Sequence, residues 1–231
     1  MKILKHLFAT LVGLSLSAVT SQATLTLDFS STLGSSIQFN GTSSSFQFNN
    51  SALNGPFFGS QFYVTSETGN GSATGLLGGF NNGPFSYGLI TSAAGAESAT
   101  VTGPLAGLVI GDGLGNNLTG TVNWVEISTF DYAGGINANL TINLTDLAYA
   151  GVNQDLKALV SGSGGALDLT FQFSPGMTLS QLTSGTGPYN TSFSGSLSVQ
   201  TAVPEVNQVY AIFFLLVILG VTPWVRRFAV R

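Results

Sequence analysis

Carboxylates are the side chains in the middle of the chain that could carry out acid–base chemistry. Residues 24–202 contain nine of them and a single base, which gives this region a formal charge of −8. Two pairs could in principle act as the general acid and base of a glycosidase, Glu97 with Glu126 and Asp112 with Asp131. Nine scattered acids are also typical of a solvated acidic surface, so we predict that the chain is not an enzyme.

Residue types exclude most other catalytic and binding chemistry. The chain has no cysteine, its one histidine is His6, and residues 24–202 contain no arginine. Ser-His-Asp catalysis, Cys-His catalysis and metal sites built on His or Cys therefore cannot form in this region. A region with one base has almost nothing to place against phosphates, so we expect no nucleic-acid partner. We expect no cofactor either.

Asp112 is the candidate ligand for a metal ion, namely calcium. It lies in the loop of residues 111–117, whose Asp, Asn and Gly residues could supply several oxygen ligands. The loop lacks the repeated acids and the bidentate Glu of an EF-hand. An ordinary turn is the simpler interpretation, and we expect no bound metal.

Alternating apolar and polar residues predict the elements that must position these groups. The pattern is clear in residues 24–29, 138–145, 166–173 and 192–199, with Gly- and Asn-rich segments between such runs. It predicts a mainly β domain, an antiparallel β-sandwich of jelly-roll-like type. One short helix is predicted within residues 144–160, with Asp146 as a possible cap.

The amino-terminal segment has the organisation of a secretory signal peptide. Residues 1–23 combine a basic start, an apolar stretch over about residues 7–18, and the small residues Ser21 and Ala23. We predict a signal helix that signal peptidase cleaves between Ala23 and Thr24. An uncleaved anchor is the alternative, but a membrane span needs about 20 apolar residues, more than this stretch offers.

A second apolar run lies near the carboxyl terminus. Residues 209–225 are 17 uncharged, mostly apolar residues, about 25 Å long as a helix and close to the hydrocarbon thickness of a bilayer. They predict a single transmembrane helix. Arg226, Arg227 and Arg231 follow it as a stop-transfer cluster that stays cytoplasmic, which would leave residues 24–202 outside the cytoplasm.

The tripeptide Val203-Pro204-Glu205 stands just before this run. Its order with a polar spacer, an apolar run and terminal arginines resembles the PEP-CTERM sorting segment of Gram-negative bacteria. In that family the segment is read by exosortase, a membrane-embedded cysteine protease or transpeptidase that processes cargo bound for the cell surface or extracellular matrix. The resemblance covers residues 202–231 and implies that Pro204 and Glu205 are the recognition motif. Val206 stands where the family usually has a second proline.

These observations predict three parts: a signal peptide over residues 1–23, a β-rich extracytoplasmic domain over residues 24–202, and a sorting segment over residues 203–231. The chain would then be an exported structural or interaction protein of the bacterial surface or biofilm matrix, anchored in the membrane before processing. Its expected partners are signal peptidase, exosortase, the membrane and, as a candidate, exopolysaccharide. The alternative is a carboxylate-dependent glycan-active enzyme or a carbohydrate-binding module on a plain single-span anchor.

Overall fold

The computed structural model describes residues 22–53, 55–81, 83–132, 135–162 and 165–202. Residues Thr24–Thr201 form a compact unit of their own. Apart from residues 22 and 23, the predicted signal peptide and sorting segment lie outside the described residues.

Among the described residues, fourteen β-strands and two short α-helices follow one another along the chain. The strands are β1 Gln22–Ser31, β2 Ser36–Asn40, β3 Ser45–Asn49, β4 Phe62–Glu67, β5 Leu77–Asn81, β6 Phe85–Tyr87, β7 Thr91–Ala93, β8 Ala96–Thr102, β9 Ala106–Gly111, β10 Asn117–Tyr132, β11 Gly135–Ala148, β12 Gly165–Gln172, β13 Tyr189–Thr191 and β14 Phe193–Ala202. The helices are α1 Gln154–Ser161 and α2 Leu179–Ser184.

Eight of the strands close into a barrel. In the order β11, β12, β14, β1, β4, β5, β9 and β10, each strand pairs with the next, and β10 pairs back with β11. The predicted jelly-roll-like β-sandwich is therefore wrong, because a sandwich has two sheets that face each other, whereas this sheet returns to its first strand. The coarser prediction of a mainly β fold is confirmed.

Closure depends on the two longest strands, β10 and β11. One edge of β10 pairs with β9 over residues 117–122 and with β8 over residues 126–130, while its other edge pairs with β11. Strand β12 alternates inward apolar with outward polar residues along most of its length: Leu167, Leu169 and Phe171 are buried, and the residues between them are exposed. A sandwich strand alternates in the same way, so the pattern predicts strands and leaves their closure open.

A second, smaller sheet lies at one end of the barrel, in the order β13–β2–β3–β6–β8. It is built from the connections β1–β4, β5–β9 and β12–β14, which leave the same end of the barrel because neighbouring strands are antiparallel. Its apolar side packs on barrel strands: the ring centroids of Phe39 and Phe171 are 5.2 Å apart, and those of Phe48 and Phe193 are 5.1 Å apart. These rings bury a large apolar area, which stabilises the second sheet on the barrel.

Helix α1 lies in the β11–β12 connection, at the opposite end of the barrel. Its N-cap is Asn153, whose side-chain oxygen accepts a hydrogen bond from the Leu156 N–H. The sequence predicts a short helix in this connection, as observed, but the predicted cap is wrong. Asp146 belongs to β11, where its backbone has a φ of 54°, and the strand continues to Ala148, which pairs with Thr119 of β10.

Within the described part of the chain, neither helix has the length and apolar character needed to cross a bilayer. The predicted signal helix and the predicted transmembrane helix over residues 209–225 fall outside that part, except that residues 22 and 23 begin β1.

The barrel interior is filled by side chains, and a glycine on β5 makes room for one of them. Gly78 lies opposite Phe62 of β4 and points inward. A Cβ atom at Gly78 would lie 2.4 Å from Phe62 Cζ and 2.7 Å from the Val109 carbonyl oxygen. Phe62 is completely buried, so its ring has little freedom to move away.

We expect Gly78→Ala to lower the free energy of unfolding by about 1–3 kcal/mol, the usual cost of overpacking a close-packed core. Urea unfolding of the full chain, followed by circular dichroism of the sheet, measures this loss. Gly107→Ala on β9 is the matched control, because its new Cβ would be no closer than 3.7 Å to a neighbouring heavy atom. Equal stability of the two variants would contradict the packing described for Gly78.

Candidate functional site

The first candidate catalytic pair, Glu97 and Glu126, is divided between the two faces of the sheet. Glu97 of β8 lies opposite the buried Thr129, whereas Glu126 lies opposite the exposed Thr100. Glu126 and Thr129 are three residues apart on β10, so their side chains point to opposite faces of the sheet. Glu97 shares the face of its cross-strand neighbour Thr129, so the two carboxylates are directed away from each other. Glu97 instead accepts a hydrogen bond of 2.8 Å from the Ser180 N–H at the start of α2.

The second pair is separated along the barrel. Asp112 lies in the β9–β10 turn, whereas Asp131 is the penultimate residue of β10, opposite Ile136 of β11. Asp131 comes fourteen positions after Asn117 along β10, which is roughly 45 Å of strand at about 3.3 Å per residue. Glycosidase carboxyl groups lie about 5–10 Å apart, so neither predicted pair has the required arrangement.

Asp112 is buried and holds the β9–β10 turn together. Its Oδ1 accepts hydrogen bonds from the backbone N–H groups of Leu114 and Asn116, and its Oδ2 accepts from the Asn116 side chain and the Tyr149 hydroxyl. Burial acts to raise the pKa of Asp112, but these four donors together lower it to about 2. The carboxylate is thus ionised and surrounded by donors, and a calcium ion would have to displace them.

Asp155, the second residue of α1, is the other buried carboxylate at this end of the barrel. It accepts hydrogen bonds from the backbone N–H groups of Asn70, Ser72 and Ala73 at 2.8–3.1 Å and from the Ser72 hydroxyl at 2.7 Å. Burial acts to raise its pKa, but these bonds outweigh burial and hold the pKa below its ordinary value. Asp155 therefore ties the β4–β5 loop to the first turn of α1.

Tyr149 and Asn153 join the two carboxylates into one polar network. The Tyr149 hydroxyl donates to Asp112 and accepts from the Asn153 N–H, and the Asn153 amide donates to the Ser72 carbonyl at 2.6 Å. Burial, together with the hydrogen bond to Asp112, raises the pKa of Tyr149. Each carboxylate oxygen is already occupied by donors, so the network suits a structural role at this end of the barrel better than proton transfer. The described residues contain no cluster of three potential metal ligands.

The outer face of the second sheet carries a closed ring of hydrogen-bonded polar side chains. Gln38 donates to Asn190 and accepts from Gln47; Gln47 also donates to Asn49, Asn49 to Ser36, and Ser36 back to Asn190. The donor–acceptor distances are 2.9–3.4 Å. We call these five residues the amide ring; they lie in register on the neighbouring strands β13, β2 and β3.

The sequence contains a signal for the amide ring that the strand pattern alone did not single out. Strands β2 and β3 read Ser-Ile-Gln-Phe-Asn and Ser-Phe-Gln-Phe-Asn. Antiparallel pairing sets each Ser opposite the Asn of the other strand and Gln38 opposite Gln47. The shared alternation points Ile37 and Phe39 of β2, and Phe46 and Phe48 of β3, inward. It directs the Ser, Gln and Asn side chains to the other face of the sheet.

Two open clefts lie at the end of the barrel that carries the second sheet. One has a volume of about 760 Å³ and is lined by residues of β10, β11, β12 and β14 and by Ser192. The other has a volume of about 660 Å³ and combines apolar side chains, among them Phe173, Met177 and Tyr189, with Gln181 and Asn190. Neither lining contains a charged side chain.

The other predicted site residues are not placed by the structure. Val203, Pro204, Glu205, Arg226, Arg227 and Arg231 lie outside the described residues. Ala23 and Thr24, on either side of the predicted cleavage site, are both within β1, whose first residue is Gln22.

No protein-family model matches the chain, and the comparisons with curated proteins and with solved structures give no match either.

Proposed function

We propose that the chain is an exported structural or interaction protein of the bacterial surface or biofilm matrix, sorted by an exosortase-type enzyme. The observation that carries this proposal is the order of Val203-Pro204-Glu205, an apolar run and terminal arginines, in a chain that begins with a secretory signal. The signal directs residues 24–202 out of the cytoplasm. The carboxyl-terminal segment holds the chain in the membrane until it is processed.

The geometry of the carboxylates supports a role without catalysis. Glu97 and Glu126 point to opposite faces of the sheet, and Asp112 and Asp131 lie far apart along β10. Asp112 and Asp155 are surrounded by hydrogen-bond donors that keep both in the ionised form. A glycosidase needs one protonated carboxyl group and a second, ionised one across the scissile bond. The separation of both pairs and the ionised state of Asp112 and Asp155 favour the matrix role over the glycan-active enzyme.

The processed ends of the exported protein test the proposal. Expressed in a host with exosortase, the chain should begin at Thr24 and should lack the mass of its carboxyl-terminal segment. In a sister strain without exosortase, it should begin at Thr24 but keep that segment. Amino-terminal sequencing and intact-mass measurement of membrane and extracellular fractions give both ends. Recovery of Met1 in exported protein, or identical masses from the two strains, would contradict the proposal.

A further inference from the structure

The amide ring is a preorganised, uncharged hydrogen-bonding surface. Strands β2, β3, β6 and β13 contain no charged residue, although residues 24–202 carry a formal charge of −8. The ring residues hold one another in place, so fewer side-chain rotamers remain to be immobilised when a ligand binds. Such a surface differs from an ordinary solvated face, whose long polar side chains are free to move.

The ring leaves both donors and acceptors available to a ligand. Within the described residues, Asn190 Nδ2 donates to no protein group and Gln47 Oε1 accepts from none, and Asn190 is exposed. A sugar hydroxyl both donates and accepts hydrogen bonds, and neighbouring hydroxyls on a sugar ring offer both at close spacing. The free amide groups of the ring match that chemistry without any ion pair.

The cleft of about 660 Å³ borders the ring along the outer edge of β13. Asn190 belongs to both, and the neighbouring Tyr189, together with Phe173 and Met177, gives the cleft an apolar surface. Ligand sites of this size combine apolar walls with a few polar groups that fix orientation. The C–H faces of a sugar could therefore lie on the cleft while its hydroxyls meet the ring.

We propose that the amide ring and the adjoining cleft bind a neutral, hydroxyl-rich polysaccharide. Charge decides between this ligand and the others. An anionic polymer, or a second copy of the chain, would be brought against a domain of charge −8 with no base on this face to offset the repulsion. Protein interfaces concentrate their binding energy in an apolar centre, and a protein partner would find no such centre on the amide ring itself.

The inference rests on the proposed matrix function for its biological setting, and its test is independent of sorting. The full chain, purified in a mild detergent, is mixed with cellulose, a neutral β-glucan and, for comparison, alginate. We expect binding to a neutral polymer that is unchanged between low salt and about 1 M salt, where the Debye length falls to about 3 Å. The double variant Gln38→Thr with Gln47→Thr should weaken this binding about tenfold, and Asn190→Ala should weaken it similarly.

The barrel provides a matched control for the loss of an amide pair. Asn123 and Asn143 are directly opposite each other on β10 and β11, as Gln38 and Gln47 are on β2 and β3. Replacing both with Thr should leave the dissociation constant within about twofold of the parent. Circular dichroism and the urea midpoint verify that each variant is folded, and Asn190→Ala, at an exposed position, keeps the test valid if the glutamine variant does not fold.

Several outcomes would overturn the inference: no binding to either neutral polymer, stronger binding to alginate, equal losses for the two amide pairs, or self-association in sedimentation that the glutamine variant abolishes. Failure of carboxyl-terminal processing together with intact polysaccharide binding would contradict the proposed function alone. Normal processing without polysaccharide binding would contradict this inference alone.

Discussion

Replacing Pro204 and Glu205 together with Ala is expected to cause the uncleaved chain to accumulate in the membrane. Pro204 restricts the backbone just before the apolar run, and Glu205 is the one charged residue between residues 169 and 225. A membrane enzyme could read both features on the non-cytoplasmic side. The apolar run and the arginines are unchanged in the variant, so insertion should be retained while processing falls at least tenfold. The chain mass in membrane and extracellular fractions of an exosortase-positive host measures this.

Neutral replacements of Arg226, Arg227 and Arg231 provide the opposite experiment. These positive charges oppose transfer of the tail across the membrane, so their loss should weaken membrane retention and orientation and leave the recognition motif intact. The two sets of changes should therefore separate processing from retention. If the Pro204 and Glu205 double variant is cut and released like the parent, the sorting interpretation is wrong and the segment is a plain anchor.

The sequence predicted individual strands well because their signal is local. Residues 24–29, 138–145 and 166–172 lie in β1, β11 and β12. The alternating burial of residues 24–29, 139–145 and 166–172 follows the alternation of apolar and polar residues. Closure of the barrel is not local: it requires β10 to pair with β8 and β9 on one edge and with β11 on the other. Nothing in the alternation of a strand specifies its neighbour, so the same pattern fits a sandwich as well as a barrel.

The same distinction explains what was missed in the candidate sites. The sequence indicates Asp112 because its own loop is rich in Asp, Asn and Gly, and the structure places it in a hydrogen-bonded turn. Asp155 gave no such signal, because its partners Asn70, Ser72 and Ala73 are more than 80 residues away in the sequence. Its importance depends on the barrel bringing the β4–β5 loop beside α1.

Replacing Asp155 with Ala is expected to lower the free energy of unfolding by about 3 kcal/mol. Asp155 is 3% exposed and accepts bonds from three backbone N–H groups and one hydroxyl. Its removal leaves these donors without their acceptor, and an unsatisfied buried donor costs about 1–3 kcal/mol. Asp155→Asn keeps one acceptor oxygen and should lose less. Urea unfolding of the full chain measures both, and Asp168→Asn, at an exposed position on β12, should stay within about 0.5 kcal/mol of the parent.

The pH dependence of unfolding distinguishes loss of the carboxylate from a general packing defect. The pKa of Asp155 is lowered in the folded chain, so its contribution is present above the unfolded pKa of about 4 and is lost as the pH falls through the folded value. Asp112, with a pKa of about 2, acts in the same direction. The parent should therefore lose stability between about pH 4 and pH 2, and Asp155→Ala should lose less over that interval. An unchanged slope in the variant would show that the carboxylate of Asp155 does not hold the β4–β5 loop on α1.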